Sequence, residues 1–370
     1  MSPSPVQSCS SAANLQAALT LLVALQRCGL KRLVLCPGSR SAPLAVAAGL
    51  LERTGLTLLT GVDERSAAFL ALGLGRADGV PAAVVTTSGS AVANLLPAVV
   101  EADHGRAPLL LLSADRPARL KGCGANQTVN QEQFLAPCCR RFLSADPAGL
   151  AAMAPAAIEA LAVGAWQAAL QPPAGPVHLN LPLEEPLHGS AAEIAALEVA
   201  ASGLPRPVAA PPLAAAAPAE LPLDAALLEL LDPDQPGAVV VGPWRAPARE
   251  LEPFAAALIQ WQRRSGWPVL ADGCSGLRGW PGLELIHSYD LLLAPEHQLP
   301  AVPQLLRIGP MPSSRRLQQW ITACEGTQLL LGQGDPRNLD ATGSASQRWG
   351  GSLQQWLAAH TAAQIGRAHV

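Results

Sequence analysis

No stretch of the 370 residues reaches the roughly 18 uninterrupted apolar positions that a membrane-crossing helix needs. Asn14, Gln16, Thr20 and Gln26 break up even the most apolar early segment. The first residues, Met1 to Ala13, have no basic region followed by an apolar run and so do not read as a targeting signal. A basic excess is also missing: the net charge is −3, which excludes the clustered positive footprint of a nucleic-acid binder. Charged residues make up only 14% and hydrophobic ones 49%, too apolar a balance for a disordered chain. The eight cysteines, at 9, 28, 36, 123, 138, 139, 274 and 324, form no Cys-x-x-Cys pair, which argues against a zinc site or a disulfide framework. The seven histidines, at 104, 178, 188, 287, 297, 360 and 369, have neither metal-ligand spacing nor a partnered nucleophile. No internal repeat occurs at a solenoid period. These absences describe a soluble, cytoplasmic protein with reduced thiols and large apolar cores.

What is present is an alternation of short apolar strands and amphipathic helices. Leu15 to Arg27 is expected to be helical and to stop at Gly29, followed by a strand over Arg32 to Cys36 and a helix over Ser41 to Leu51. Further strands are expected at Leu56 to Thr60, Ala82 to Thr86, Pro108 to Ser113 and Val177 to Leu181. Helices fall after Glu64, over Ala91 to Ala102, and near Ala156 to Leu170. The unbroken leucines before Ser113 suit a strand buried on both faces of a parallel sheet. This rhythm predicts a doubly wound α/β domain over residues 1–190, with ligands at the carboxyl ends of its strands.

A linker is expected over 191–222, because proline and alanine dominate after Gly203. Beyond it a second α/β rhythm occupies 223–364. Its strands are expected at Ala238 to Gly242, Pro268 to Ala271, Leu305 to Gly309 and Thr327 to Leu331, with helices at Leu251 to Arg263 and Leu317 to Cys324. The fold class is therefore α/β, two doubly wound parallel-sheet domains.

Four successive strands of the first domain end in polar loops. The first ends in Cys36-Pro37-Gly38-Ser39-Arg40-Ser41, which sets Arg40 beside a helix start where a guanidinium can grip a carboxylate or phosphate. The second ends in Gly61-Val62-Asp63-Glu64, where Asp63 can cap the helix and Glu64 lies in its first turn. The third ends in Thr87-Ser88-Gly89-Ser90-Ala91, whose glycine permits close approach of backbone to a ligand. The fourth leads to Asp115-Arg116-Pro117, then to Cys123-Gly124-Ala125-Asn126-Gln127. Taken singly, Arg40 reads equally as an ordinary loop arginine and Glu64 as an acid favoured by the helix dipole. Gly73-Leu74-Gly75-Arg76-Ala77-Asp78-Gly79 superficially suggests a dinucleotide fingerprint, but it lies at the end of a helix and has one residue too many. Close packing followed by a turn is the better reading.

Taken together and in this order, Pro37-Gly38-Ser39-Arg40-Ser41, Val62-Asp63-Glu64-Arg65, Thr87-Ser88-Gly89-Ser90-Ala91 with Asn94, Asp115-Arg116-Pro117 and Cys123 to Gln127 resemble a family of thiamine-diphosphate enzymes of menaquinone and phylloquinone synthesis. These are the 2-succinyl-5-enolpyruvyl-6-hydroxy-3-cyclohexene-1-carboxylate synthases. The second domain resembles the family's middle domain, most clearly at Ser313-Ser314-Arg315-Arg316-Leu317, where Arg315 replaces an expected lysine. The resemblance implies that Glu64 hydrogen-bonds the aminopyrimidine ring of thiamine diphosphate and favours the tautomer that deprotonates the thiazolium. Ser88 and Gly89 would also face the cofactor. The implied reaction decarboxylates 2-oxoglutarate and adds the resulting succinic semialdehyde carbanion to isochorismate, with the cofactor as electron sink. Ser39, Arg40, Arg116, Asn126, Gln127, Arg315 and Arg316 would bind these polyanionic substrates. A homodimer or homotetramer is implied as well.

The same resemblance implies a third domain that holds the diphosphate through Mg2+, marked by Gly-Asp-Gly and a downstream Asn. No such motif occurs here. Residues 365–370, Ile-Gly-Arg-Ala-His-Val, resemble a translated sequencing adapter, so a truncated chain, inactive alone and with an exposed apolar docking face, is expected. Two other readings stay open at this point: an acetolactate synthase-like thiamine-diphosphate enzyme, and a non-catalytic α/β binding or regulatory protein.

Overall fold

The computed structural model describes residues 10–203, 222–294, 297 and 299–368. The chain divides into two compact units, Met1–Ala215 and Ala216–Val370. The first opens with helix α1 (Ser11–Cys28), capped by Ser10, whose side chain accepts from the Ala13 N–H. There follow β1 (Arg32–Leu35), α2 (Ala42–Leu51), β2 (Thr57–Thr60), α3 (Glu64–Asp78), β3 (Ala82–Thr86), α4 (Ser90–Ala93) and α5 (Leu96–His104). Next come β4 (Leu109–Asp115), β5 (Arg141–Ser144), α6 (Pro155–Leu170), β6 (Pro176–Pro182) and α7 (Ala191–Ser202). The six strands form one sheet in the order β2-β1-β3-β4-β6-β5, with every pairing parallel. The order reverses direction at β1 and β3, the switch point where such sheets open a crevice at the carboxyl ends of their strands.

The sheet is buried on both faces, as the leucine run predicted. Leu110 and Leu112 join α1, α2 and α6 in one core, while Leu109 and Leu111 join α3 and α5 in the other. Each buried leucine contributes about 1.5–3 kcal/mol. Gly75 allows α3 to pack closely, because a Cβ there would lie 3.1 Å from the Ala82 nitrogen and 3.2 Å from the Pro108 carbonyl. The misleading glycine string is thus a packing contact followed by the Gly79 cap.

Three local expectations need correction. The helix over Ala91 to Ala102 is two helices, because Pro97 has no N–H to bond one turn back and the chain restarts at Leu96. The linker does not begin at 191: Ser190 and Glu193 form a reciprocal capping box that starts α7, and Leu197 and Ala201 pack into the first core. The rest of that stretch, 204–221, lies outside the described residues. The strand β5 has no counterpart in the sequence reading, because a four-residue edge strand with largely exposed side chains lacks an apolar run.

The second unit holds α8 (Ala225–Glu229), β7 (Ala238–Val241), α9 (Leu251–Ser265), β8 (Val269–Ala271), α10 (Tyr289–Leu292), β9 (Gln304–Ile308), α11 (Arg315–Ala323), β10 (Thr327–Leu331), β11 (Gln347–Trp349) and α12 (Leu353–Ala368). Its five strands are again parallel, in the order β11-β10-β9-β7-β8. Trp261 of α9 packs edge-on against Trp267, Trp356 and His360 at 4.9–5.5 Å, so His360 is a core residue. The backbone of α12 runs on to Ala368, across four of the six residues read as an adapter tail.

Candidate functional site

Sheet order brings the four polar loops side by side, since β2, β1, β3 and β4 are neighbours. The loop after β1 and the loop after β3 touch: a Cβ on Gly38 would lie 2.4 Å from the Thr87 Cβ. After β2, the Asp63 carboxylate accepts from the Ser66 N–H at 2.7 Å and starts α3, which fixes Glu64 in the first helical turn. Glu64 is half-buried, and its Oε2 accepts from Asn94 Nδ2 at 3.0 Å. Asn94 stands at the break between α4 and α5, so this bond joins the end of β2 to the segment after β3. Among the described residues, Glu64 Oε1 accepts no hydrogen bond and remains available to a ligand.

Cys36, at the end of β1, has its thiol pushed up to about 12 by burial and by the nearby carboxylates of Glu64 and Asp63. It stays protonated and is no nucleophile.

Arg40 and Arg116 are both buried, at 6% and 8% exposure, which is unusual for arginine and demands partners. Arg40 donates from Nη1 to the Leu183 carbonyl and from Nη2 to Glu185, both at 2.9 Å, and its buried Nε has no partner. Arg116 donates from Nη1 to Ser88 Oγ and, at 2.8 Å, to the Gln127 carbonyl. Burial, together with the positive charge of Arg40, lowers the Arg116 pKa. The carboxylates of Asp115 and Glu185 oppose that shift, and a bound anion would act in the same direction.

Of the other expected residues, Ser88 is fully buried under Arg116. Gly89 adopts φ +84° and ψ −141°, a conformation close to glycine-only, and a Cβ there would meet the Gln127 Cβ at 3.4 Å. Gln127 (φ 53°) and Asn126 are exposed, and it is the backbone of Gln127, not its side chain, that meets Arg116. Ser39 is exposed and shares a 3.0 Å hydrogen bond with His188 Nε2. Arg315 and Arg316 belong to the second unit, at the start of α11. Arg315 is exposed and Arg316 is paired with Asp290 at 3.1 Å.

Several supporting residues carry no sequence signal of their own. Asn14, which interrupts the apolar pattern of α1, is fully buried and donates to the carbonyls of Glu184 (2.6 Å) and Pro186 (3.0 Å), fixing the segment that carries Glu185. Arg119 grips Glu184 with two bonds of 2.7 Å. Asp115 is fully buried and accepts from Lys121 (2.6 Å), Asn180 (2.9 Å) and the Arg116 N–H (2.7 Å).

Beneath these loops His178 of β6 is fully buried, with Nε2 2.7 Å from Ser113 Oγ. The hydroxyl proton of Ser113 is committed to Asn180 Oδ1 at 3.1 Å, so the imidazole is the donor in that pair. Burial pushes its pKa down to about 4, against the opposing charge of Asp115. The unfolded chain takes up this proton near pH 6.5 and the folded one only near pH 4. The His178 contribution to stability, about 3 kcal/mol, is therefore expected to be lost as pH drops across that window, and His178 adds no further loss below it. Denaturant midpoints at pH 7 and pH 4.5 check this: His178→Gln should flatten the difference, and an unchanged difference would refute it.

Among the described residues, no three His, Cys, Asp or Glu side chains are grouped to hold a metal ion. No helix among them is long and apolar enough to cross a membrane.

Two family models match the chain. Residues 16–134 match the thiamine pyrophosphate enzyme N-terminal TPP binding domain, and residues 234–367 match a middle domain of thiamine pyrophosphate enzymes. A curated relative from Synechococcus sp. (strain RCC307), named 2-succinyl-5-enolpyruvyl-6-hydroxy-3-cyclohexene-1-carboxylate synthase, is 54% identical over 351 residues, 95% of this chain and 58% of its own length. Relatives of the same name from Synechococcus sp. (strain CC9311) and Prochlorococcus marinus (strain MIT 9303) are 53% and 51% identical, covering 91% and 89% of this chain and each 57% of their own length. The chain thus spans a little under three fifths of the curated relatives it matches.

Proposed function

Because this chain belongs to the thiamine pyrophosphate enzymes of the 2-succinyl-5-enolpyruvyl-6-hydroxy-3-cyclohexene-1-carboxylate synthase family, we propose that the carboxyl ends of β1 to β4 bind the pyrimidine half of thiamine diphosphate and two anionic substrates. The single observation that carries this reading is Glu64, a half-buried carboxylate with Oε2 held by Asn94 and Oε1 without a partner among the described residues. An acceptor so placed fits a protonated ring nitrogen. The glycine-only turn at Gly89, beside Ser88, offers backbone that a ligand can approach closely.

Thiamine diphosphate, when bound, supplies an electron sink for losing CO2 from a 2-oxo acid and joining the remaining carbons to an acceptor. The chain supplies the rest. Glu64, held by Asn94 in the first turn of α3, presents Oε1 as the acceptor for a proton on the ring nitrogen. Arg40 and Arg116 receive the carboxylates of 2-oxoglutarate and isochorismate, one of them in the place Glu185 holds on Arg40. Ser39, Asn126 and Gln127 line the exposed rim as neutral donors. For Arg315 and Arg316 the anion-binding role rests on their charge and on the family resemblance. No residue described here is assigned to the Mg2+.

The proposed assembly is a homodimer or homotetramer in the cytoplasm. Val62, Phe69, Leu70 and Leu96, all exposed on or beside α3 and α5, supply an apolar surface for a second copy. Neither a non-catalytic binding protein nor an acetolactate synthase-like enzyme is favoured by relatives that share one synthase name. The test is product formation by the intact protein with thiamine diphosphate, Mg2+ and isochorismate, comparing 2-oxoglutarate with pyruvate. Product from 2-oxoglutarate alone is expected, whereas a preference for pyruvate would overturn the substrate assignment.

A further inference from the structure

Gln131 is fully buried, belongs to none of the motifs described above, and uses both ends of its amide. Its Oε1 accepts from the Gly89 N–H at 2.9 Å. Its Nε2 donates to the Ala114 carbonyl of β4 at 3.1 Å and to Asn180 Oδ1 of β6 at 2.9 Å. The orientation admits no alternative, since the one donor it meets lies on the Gly89 side and both acceptors lie on the other. Asn180 is itself fixed, accepting from Ser113 Oγ at 3.1 Å and donating to Asp115 Oδ2 at 2.9 Å.

Gly89 needs such an anchor. Its φ of +84° and ψ of −141° lie in a region that costs energy unless the surroundings enforce it, and its amide points into the protein, where an unpaired N–H is costly. Gln131 also closes the segment that leaves Gln127, so one side chain fixes the Ser88–Gly89 turn against the loop whose Gln127 carbonyl takes Arg116. Ser88 takes the same Arg116 Nη1.

We infer that Gln131 is a positioning residue that sets the cofactor-facing turn at Ser88–Gly89 and the anion-binding Arg116 in one register, so that the two binding functions depend on a single buried amide. The inference rests on the proposed function, because it assigns Gly89 to cofactor and Arg116 to substrate. It touches neither ligand and acts through backbone and hydroxyl groups.

The test compares Gln131→Met and Gln131→Glu with Ser113→Ala in the intact protein. Methionine keeps the length without hydrogen bonds. Glutamate keeps an acceptor for Gly89 but turns a carboxylate oxygen toward the Ala114 carbonyl and Asn180 Oδ1. Ser113→Ala weakens the same network without touching Gly89. Both Gln131 variants are expected to raise the Kd for thiamine diphosphate, read by calorimetry, and the KM for 2-oxoglutarate together by about 10-fold, the scale of one lost buried hydrogen bond. Their kcat at saturation should change less, and Ser113→Ala should leave both constants near wild type. A Kd unchanged in Gln131→Met, or a rise matched by Ser113→Ala, overturns the inference. If Glu64→Gln retains full activity in the same assay, the proposed function itself fails instead. If a Gln131 variant does not fold, retention of the wild-type cofactor Kd in Gln131→Asn, whose shorter amide cannot reach Gly89, is the overturning result.

Discussion

Glu64→Gln is expected to lower cofactor-dependent turnover by about 10²–10⁴-fold, the range for loss of a positioned proton-holding carboxylate. The folded protein should survive the change. Glu64 is half-buried, Asp63 keeps the cap of α3, and a glutamine oxygen can still accept from Asn94. The structural penalty is confined to a weaker interaction with the helix dipole, about 0.3–1 kcal/mol. What glutamine cannot do is carry the negative charge that stabilises a proton at the ring nitrogen. Steady-state rates at saturating cofactor, with a thermal melt run alongside, check the expectation. A variant within a few-fold of wild type would remove Glu64 from the chemistry.

The largest expected effect on stability lies in the second unit. Arg307, in the middle of β9 between β7 and β10, is 3% exposed, and its Nη1 donates to Asp340 (3.0 Å), Ser344 (3.0 Å) and Gln328 (3.2 Å). Burial lowers the guanidinium pKa, and Asp340 opposes that shift. Burial also acts most strongly on the Asp340 carboxyl, in the raising direction. The Ala345 N–H and Arg307 together outweigh it and hold the group below its ordinary value. Arg307→Met leaves that buried carboxylate without its guanidinium partner and is expected to cost about 3–5 kcal/mol. Arg307→Met with Asp340→Leu, which removes both charges, should recover most of the loss. Urea unfolding followed by the fluorescence of the Trp261, Trp267 and Trp356 cluster reports on this unit directly. A single variant as stable as wild type, or a double variant no better than the single, would contradict the account.

The central strands that carry the candidate site were legible because parallel sheets bury both faces, and residues 82–85 and 109–112 are continuous apolar runs. The loop residues could be singled out because each follows a strand: Arg40 after β1, Glu64 after β2, Ser88 after β3 and Arg116 after β4. The elements that were not legible share a physical cause. The edge strands β5 and β11 have three or four residues and largely exposed side chains. Among the described side chains of α12, the apolar core contacts come from Leu353, Trp356 and Leu357, diluted by alanine and glutamine. In the site, Asn14 and Gln131 look in sequence like stray polar residues. Only the fold brings their amides to Glu184 and Gly89, 170 and 42 positions away. The pairing of Arg40 with Glu185, 145 positions apart, is equally invisible before the strands are ordered.

The central claim, that Glu64 faces and activates thiamine diphosphate, is tested most directly by deuterium exchange at the thiazolium C2 hydrogen, followed by NMR with the intact wild-type protein and with Glu64→Gln. The account predicts exchange far faster than for free cofactor in the wild type, falling back toward the free rate in the variant. Equal exchange rates for the two proteins would contradict it.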